Sequence, residues 1–340
     1  MHNETLKLSS ADYPENAAEL MAAALAPGQL DPEGWQRDAE VKLAEFLGVD
    51  PMDVLLCGSG TAALTIAHHF LGDNGKLPVE APALTWPSTY CYSPFVRLVD
   101  CPSPHAPMWT KDLLLRVPVT LWGVQVNPAI LEEIRPHGPV VYDCCHAFGT
   151  GLKELEDELV DAVVYSFGPT KQVPCVRGGA VISPHINKWW RAYRDSGTLG
   201  RHFLMNRGGN FEIPEPFAAL LSAQLDEAKL IREGRHRAAI LEAYWRRLED
   251  KHIGMLTVPE VASGHLCVVL FPNEGARITA MGRLNQANVQ YGLHYGLPAW
   301  LPLNLFPYAH DLSLRTLSLP CHLHMTPADA LRVVETIFPA

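Results

Sequence analysis

A single lysine stands in a turn between two apolar segments near the middle of the chain. Residues 162–167 (AVVYSF) have the composition of a buried strand, Gly168 and Pro169 turn the chain, and Lys171 follows. A lysine amine at such a place is either an ordinary solvated charge or a nucleophile and proton carrier. The choice depends on which other functional groups the fold brings near Lys171.

Glycines and hydroxyls at 57–64 (CGSGTAAL) form a turn between a predicted strand and a predicted helix. Glycine lets the backbone approach an anion, and the N–H groups of a first helical turn attract negative charge. Gly60 and Thr61 are therefore candidate phosphate ligands, although a plain helix cap by Ser59 is the alternative. The motif is neither a dinucleotide fingerprint nor a Walker loop, so it predicts a phosphate without naming a nucleotide.

Three further side chains suit a planar, electron-poor ligand. Asp143 ends the predicted strand 139–143, at the strand end where open α/β sheets bind ligands, and His146 follows it. Trp86 lies at another strand end, where its ring can stack on a ligand or belong to the core. Asp143 alone also fits a turn cap. Together with Lys171 and the phosphate turn, these groups match the needs of pyridoxal phosphate: an amine for the aldehyde, a carboxylate for the ring nitrogen, and an aromatic face.

Short apolar runs alternate with helical patterns through the first two thirds of the chain, which predicts a mainly parallel sheet with helices on both faces. The predicted strands are 54–57, 77–80, 96–100, 117–121, 139–143, 162–167 and 179–183. The predicted helices between them are 35–47, 61–71, 127–135 and 187–195.

The last third of the chain changes character. A helical pattern covers 214–250, and Gly234 within it is expected to mark a bend or a break. Strand and helix patterns then predict a compact α+β unit. The predicted organisation is an N-terminal segment (1–34), a large cofactor-binding α/β domain (35–235) and a small C-terminal α+β domain (236–340).

Composition limits the classes of function. The 340 residues are 48% hydrophobic and 19% charged, with a formal net charge of -10 and no block of basic residues, which argues against nucleic-acid binding. The apolar run at 20–26 is too short to span a bilayer and follows a polar, acidic start, so we expect a cytoplasmic protein without a membrane partner. The eight cysteines include no CxxC pair, and no metal is expected.

Over residues 35–340 the motifs resemble, in order, those of the DegT-type sugar aminotransferase family of fold type I pyridoxal-phosphate enzymes. The matching segments are Ser59–Leu64, Thr85–Thr89, Pro118–Gly123, Asp143–Gly149, Ser166–Lys171, Asn210–Ile213, His294–Tyr295 and Ser318–Pro320. This resemblance implies a large domain with a mainly parallel seven-stranded sheet between helices, plus a small C-terminal α+β domain.

The resemblance also implies residue roles. Lys171 would hold the cofactor aldehyde as an internal aldimine, and Asp143 would bind the pyridine nitrogen. The other implied cofactor contacts are stacking by Trp86, a position near the ring hydroxyl for His146, and phosphate binding by Gly60, Thr61 and the Ser166 hydroxyl. Asn210 is expected to reach the neighbouring subunit's site, which implies a homodimer with shared active sites. His294 and Tyr295 are expected on the substrate side.

The implied reaction moves an amino group from an amino acid, glutamate or glutamine by family analogy, to a keto-sugar or a cyclic ketone. Several positions depart from the family pattern, namely Tyr142, Gly168, Arg177, Phe211, Glu212, Trp300 and Asn304. Since they lie beside the cofactor positions, we expect an acceptor other than an ordinary nucleotide sugar. Two alternatives stay open: a lyase or dehydratase on the same scaffold, and a cofactor-binding regulator without catalysis.

Overall fold

A computed structural model gives the fold of residues 5–26, 34–90, 93–103, 106–199, 203–204, 207–259 and 262–339. The strands of the first two thirds of the chain form two adjoining sheets. These strands are β1 (Val54–Cys57), β2 (Val79–Pro82), β3 (Val96–Val99), β4 (Leu115–Arg116), β5 (Val141–Asp143), β6 (Ala162–Ser166) and β7 (Gly179–Ile182).

The two sheets together have the order β3-β2-β4-β5-β6-β7-β1. Within them β3, β2 and β4 pair in parallel, as do β5 and β6, whereas β7 is antiparallel to both β6 and β1. Parallel bridges from Arg116 to Val140 and from Val119 to Asp143 connect β4 to β5. The predicted α/β class and the mainly parallel seven-stranded arrangement are thereby confirmed.

The fourth strand, Leu115–Arg116, ends before the predicted segment 117–121 begins, and pairing beyond Arg116 continues only as single contacts. Pro118 has no N–H to donate, so it interrupts the ladder. Its carbonyl still accepts a bond of 2.9 Å from the N–H of Asp143. This bond aligns the end of the segment with the end of β5, where the candidate carboxylate lies.

Helices cover both faces of the sheet. Alternate residues of each strand face opposite sides. Leu56 and Tyr165 pack under the helices Gly34–Leu47 and Glu215–Gln224, and Leu55 and Val164 pack under the helix Gly60–Leu71. The helices are α1 (Ala17–Ala24), α2 (Gly34–Leu47), α3 (Gly60–Leu71), α4 (Pro128–Ile134), α5 (Leu152–Glu156), α6 (Lys188–Arg194), α7 (Glu215–Gln224), α8 (Glu227–Glu249), α9 (Glu274–Gln286), α10 (Pro307–Arg315) and α11 (Pro327–Ile337).

The break expected at Gly234 is wrong, since α8 runs through it without interruption, whereas a bend there stays a prediction. The break falls earlier, at Leu225 and Asp226, where the Asp226 carboxylate caps the new helix by accepting from the Lys229 N–H. One glycine costs a helix about 1 kcal/mol relative to alanine. Burial of side chains such as Tyr244 further along α8 outweighs that cost.

The last third of the chain forms a separate, antiparallel sheet. Its strands β10 (Gly254–Met255), β11 (Cys267–Leu270) and β12 (Thr316–Leu319) pair in that order and pack against α8, α9 and α11. A hairpin of β8 (Thr198–Leu199) and β9 (Phe203–Leu204) precedes this unit in the chain. The boundaries 1–34, 35–235 and 236–340 stay a prediction, and α8 is continuous across residues 235 and 236.

A shared apolar cluster joins the large sheet to the C-terminal unit. Leu84, Val119 and Trp122 from the first part pack with Val268 and Leu312 from the second. A loop that carries functional groups from the C-terminal unit is therefore held against the sheet. Among the described residues, no helix combines the length and the apolarity needed to span a bilayer.

Arg116 and Glu80 form an ion pair in the interior of the sheet, and both side chains are fully buried. Arg116→Met would leave the carboxylate buried without its cation, which we expect to lower the free energy of unfolding by about 3–5 kcal/mol. Urea denaturation of the cofactor-free protein measures this. The matched control is Arg97→Met, which removes an exposed pair with Asp112 and should cost less than about 1 kcal/mol. Equal effects of the two substitutions would contradict the prediction.

Candidate active site

A cavity of about 340 Å³ opens between the ends of the sheet strands and the C-terminal unit. Nine of the ten candidate site residues from the sequence line this cavity. They are Gly60, Thr61, Trp86, Asp143, His146, Ser166, Lys171, His294 and Tyr295. Side chains from five separate segments of the chain therefore meet at one place.

The first turn of α3 faces this cavity. The Ser59 hydroxyl caps the helix by accepting from the Ala62 N–H at 3.1 Å, which is the helix cap that the sequence offered as an alternative. A Cβ atom on Gly60 would lie 2.8 Å from Ser166 Cβ and 3.0 Å from Cys145 Sγ. Only glycine fits there without displacing those neighbours. The Thr61 hydroxyl bonds with that of Ser88 at 2.7 Å. Helical N–H groups and hydroxyls thus converge as an anion site requires.

Asp143 lies at the carboxyl end of β5 and is 4% exposed. One carboxylate oxygen accepts from the Thr89 hydroxyl at 2.9 Å, and the other accepts from the Cys145 N–H at 3.1 Å. Two donors from different segments fix the orientation of the carboxylate. A fixed negative charge of this kind can hold a protonated ring nitrogen.

Lys171 follows a turn closed by a bond of 3.0 Å from its own N–H to the Gly168 carbonyl. Burial lowers the pKa of its amine, and the nearby Cys145 and Asp143 oppose that shift. The desolvation effect is larger, so the neutral amine is more accessible than in a solvated lysine. A neutral amine can attack an aldehyde or accept a proton.

His146 has a protein partner at each ring nitrogen. Its Nδ1 accepts from the Trp122 backbone N–H at 3.2 Å, and its Nε2 lies 3.0 Å from the Tyr295 hydroxyl. The His265 ring lies against it, with centroids 4.6 Å apart. Burial, followed by the charges of Lys171 and of the neighbouring histidines, holds the pKa of His146 well below its usual value.

Two aromatic rings border the cavity. Trp86 is 56% exposed, and its ring centroid lies 5.5 Å from that of Tyr295 at an interplanar angle of 54°. Beside Tyr295, the His294 ring bonds through Nδ1 with the Ser318 hydroxyl at 2.8 Å, which ties it to β12. Trp86 therefore has a free face beside the cavity, as a ring that stacks on a ligand needs.

Asn210 is the one predicted site residue that does not line the cavity. It is exposed, and its backbone pairs with that of Asp195. Its expected role toward a neighbouring subunit stays a prediction. Arg201, an arginine near this segment, lies outside the described residues.

Sequence reasoning missed three residues of the site. Thr89 and Trp122 lie inside quoted motifs, but nothing in their spacing showed that they bond Asp143 and His146. His265 carried no signal, because its neighbours 266–271 suggested only a strand. The departure at Tyr142 lies outside the site, since its hydroxyl accepts from the Val126 N–H on the other side of the sheet.

The described residues include no group of three or more histidine, cysteine or carboxylate side chains placed to hold a metal ion. The polar groups of the cavity are instead suited to an organic ligand that carries a phosphate and an electrophilic carbon. The fold and the site together define the class of pyridoxal-phosphate-dependent enzymes, in which a lysine holds the aldehyde of the cofactor.

Comparison with known proteins agrees with this class. The structure superposes on the putative sugar aminotransferase Spr1654 from Streptococcus pneumoniae in its PLP form, with a TM-score of 0.85, 17% identity and 98% of each chain covered. It also matches Helicobacter pylori PseC, an aminotransferase involved in the biosynthesis of pseudoaminic acid (TM-score 0.83, 20% identity, 98% of each chain). A third match is S. venezuelae DesV in complex with a ketimine intermediate (TM-score 0.80, 23% identity, 95% of this chain and 93% of that chain). These likenesses establish the fold.

A model of the DegT/DnrJ/EryC1/StrS aminotransferase family matches residues 117–338, and the chain belongs to this family. It is accordingly a pyridoxal-phosphate-dependent aminotransferase of fold type I, as the sequence predicted. The cavity fits that cofactor, because Gly60 and Thr61 at the first turn of α3 line it together with Lys171 and Asp143.

We expect Gly60→Ala to weaken binding of pyridoxal phosphate about tenfold or more, because the added methyl group overpacks the first turn of α3. An absorbance titration of the cofactor-free protein measures the dissociation constant. Gly168→Ala is the matched control, since its Cβ would meet Lys171 Cγ only at 3.8 Å. Unchanged affinity in Gly60→Ala, with the protein folded by its melting temperature, would show that the α3 turn does not hold the phosphate.

Proposed function

We propose that this enzyme transfers the amino group of glutamate or glutamine to a small keto-sugar or cyclic ketone, with Lys171 as the residue that binds the cofactor and moves the proton. The observation that carries the proposal is the convergence of Lys171, Asp143 and the α3 terminus on one cavity. Family membership supports the reaction class, and the neighbours of Lys171 support its role.

In this proposal each residue has a defined task. When bound, pyridoxal phosphate supplies an electron-poor ring that stabilises negative charge on the substrate carbon. Asp143 keeps the ring nitrogen protonated, since its carboxylate is already fixed by Thr89 and Cys145. The Ser166 hydroxyl and the N–H groups at Gly60 and Thr61 hold the phosphate.

Lys171 and Trp86 complete the assignment. Lys171 would hold the cofactor through its amine. Once the amino donor has taken its place, the free amine would accept the α-proton of the donor and return a proton to the cofactor. Burial lowers its pKa, which favours the neutral base. The exposed face of Trp86 stacks on the cofactor ring. His146 lies near the hydroxyl of that ring.

The lining of the cavity supports a small acceptor without a phosphate. Lys171 is the single lysine or arginine among the described residues that line the cavity. Arg315 pairs with Asp311 and with the Phe271 carbonyl, so it is occupied elsewhere. Arg177 is exposed and lies outside the lining. We therefore favour keto-sugars and cyclic ketones over nucleotide-linked sugars. Screening these ketones against the pyridoxamine form, while following the return of the absorbance of the aldehyde form, identifies the acceptor.

We expect Lys171→Ala to remove the visible absorbance of the lysine-bound cofactor and to lower turnover by about 10²–10⁴-fold, the usual contribution of a positioned proton carrier. Rapid-scan absorbance with glutamate measures both the bound form and its conversion. Lys153→Ala, which removes an exposed lysine paired with Asp157, is the control that should behave as wild type. Wild-type turnover in Lys171→Ala would refute the assignment. A wild-type enzyme that releases other products, with no conversion to the amine form, would favour the lyase alternative.

We also propose that the enzyme is a homodimer in which Asn210 serves the partner's cavity. Asn210 is exposed and lies outside the cavity of its own chain, as a residue that reaches across an interface would be. The cytoplasmic location expected from the sequence stays a prediction.

Mixing subunits tests the shared site. Lys171→Ala and Asn210→Ala homodimers are each expected to be impaired. A mixed dimer combines one intact Lys171 with the Asn210 of the other chain, so it should regain up to half of the wild-type activity. Light scattering confirms the dimer, and mixing Lys171→Ala with Lys171→Arg is the control that should regain nothing. A monomer in solution, or mixed dimers without recovery, would contradict the proposal.

A further inference from the structure

The hydrogen bonds around His146 have a fixed direction. A backbone N–H can only donate, so Nδ1 of His146, which receives the Trp122 N–H at 3.2 Å, carries no proton. The imidazole is buried and neutral, and its single proton is therefore on Nε2. Since Nε2 lies 3.0 Å from the Tyr295 hydroxyl oxygen, the histidine donates to the tyrosine.

This direction decides where the Tyr295 proton points. The hydroxyl cannot donate to His146, so its own O–H is left for a partner elsewhere. Tyr295 lines the cavity with Asp143 and Lys171. Burial and the nearby Asp143 and Cys145 raise the pKa of Tyr295, which keeps the hydroxyl protonated and able to donate.

Trp122 makes a hydrogen bond at each end of this network, one to His146 and one to the carbonyl of His294. Its backbone is in the left-handed region (φ 61°, ψ 9°), where a bulky residue is rare and strained. In this conformation its N–H reaches His146, and its indole N–H donates to the His294 carbonyl, next to Tyr295. Trp122 is fully buried, and its packing with residues of the C-terminal unit stabilises the arrangement. We regard it as a positioning residue.

We propose that Tyr295, oriented by His146 and Trp122, is the hydrogen-bond donor to the ring oxygen of pyridoxal phosphate, so that His146 acts on that oxygen through the tyrosine. The inference rests on the proposed placement of the cofactor against Asp143 and Lys171. The groups that face Tyr295 are His146, His294, Trp86, Asp143, Cys145 and Lys171. Of these, the neutral His146 already donates to the tyrosine oxygen.

Spectroscopic titration of the cofactor-loaded enzyme tests this. A donor stabilises the ring oxygen in its negatively charged form, so Tyr295→Phe should raise the pH midpoint of the cofactor absorbance change by about one unit. Tyr291→Phe is the matched control in the same unit, because its hydroxyl accepts from Asn285 at 3.1 Å away from the cavity. Its midpoint should equal that of the wild type.

Trp122→Phe gives a second measurement. It keeps the backbone N–H and removes the indole donor, so we expect a smaller rise of the midpoint in the same direction. A Tyr295→Phe enzyme that titrates at the wild-type midpoint would overturn the inference, since His146 would then be the direct donor. Should Tyr295→Phe fail to bind the cofactor, an unchanged midpoint in Trp122→Phe would overturn it. The titration needs no turnover, so failure of the proposed reaction would be recognised separately, by the absence of conversion with glutamate.

Discussion

The buried carboxylate of Asp143 lies beside the Lys171 amine in the cavity and opposes the effect of burial on that amine. It is held by the Thr89 hydroxyl and the Cys145 N–H, and it lies close enough to Lys171 to favour the charged amine. Burial acts on Lys171 in the opposite direction and is the larger effect, so the amine keeps a lowered pKa. If the carboxylate were free to pair with Lys171, neither group would be available for another partner. Its two donors instead fix the orientation of the carboxylate.

This arrangement depends on the packing of two units against each other. The large sheet supplies the carboxylate, the lysine and the terminus of α3, while the C-terminal unit supplies His294 and Tyr295. Trp122 connects them through its apolar ring and through its indole N–H, which donates to the His294 carbonyl, while its backbone N–H donates to His146 in the large unit. The strained backbone of Trp122 costs about 1–3 kcal/mol, and burial of its large side chain offsets that cost. The geometry around His146 is therefore a property of the packed pair of units.

Sequence patterns predicted the large sheet well, because short continuous apolar runs such as 162–167 are typical of strands buried on both faces. They also predicted Gly60, Thr61, Trp86, Asp143, His146 and Lys171 at the cavity, since residues at strand ends and helix starts meet at one edge of a parallel sheet, whereas Ser166, His294 and Tyr295 came from the family resemblance. They failed where the outcome depends on contacts between distant segments. Thr89 and Asp143 are 54 positions apart, and no local pattern links them. Gly234 misled because local propensity is weaker than the burial of α8.

The histidines near Lys171 explain why the cavity has so little positive charge. Burial keeps His146, His265 and His294 neutral, and the charge of Lys171 lowers the pKa of each one further. Protonating any of these rings would place a second cation near the lysine amine in a poorly solvated space, which is costly. The three histidines could attract a substrate diphosphate only if they were charged. Because they are neutral, they act as hydrogen-bond donors and acceptors instead. Such a lining can distinguish hydroxyl from carbonyl groups by hydrogen bonding rather than by charge.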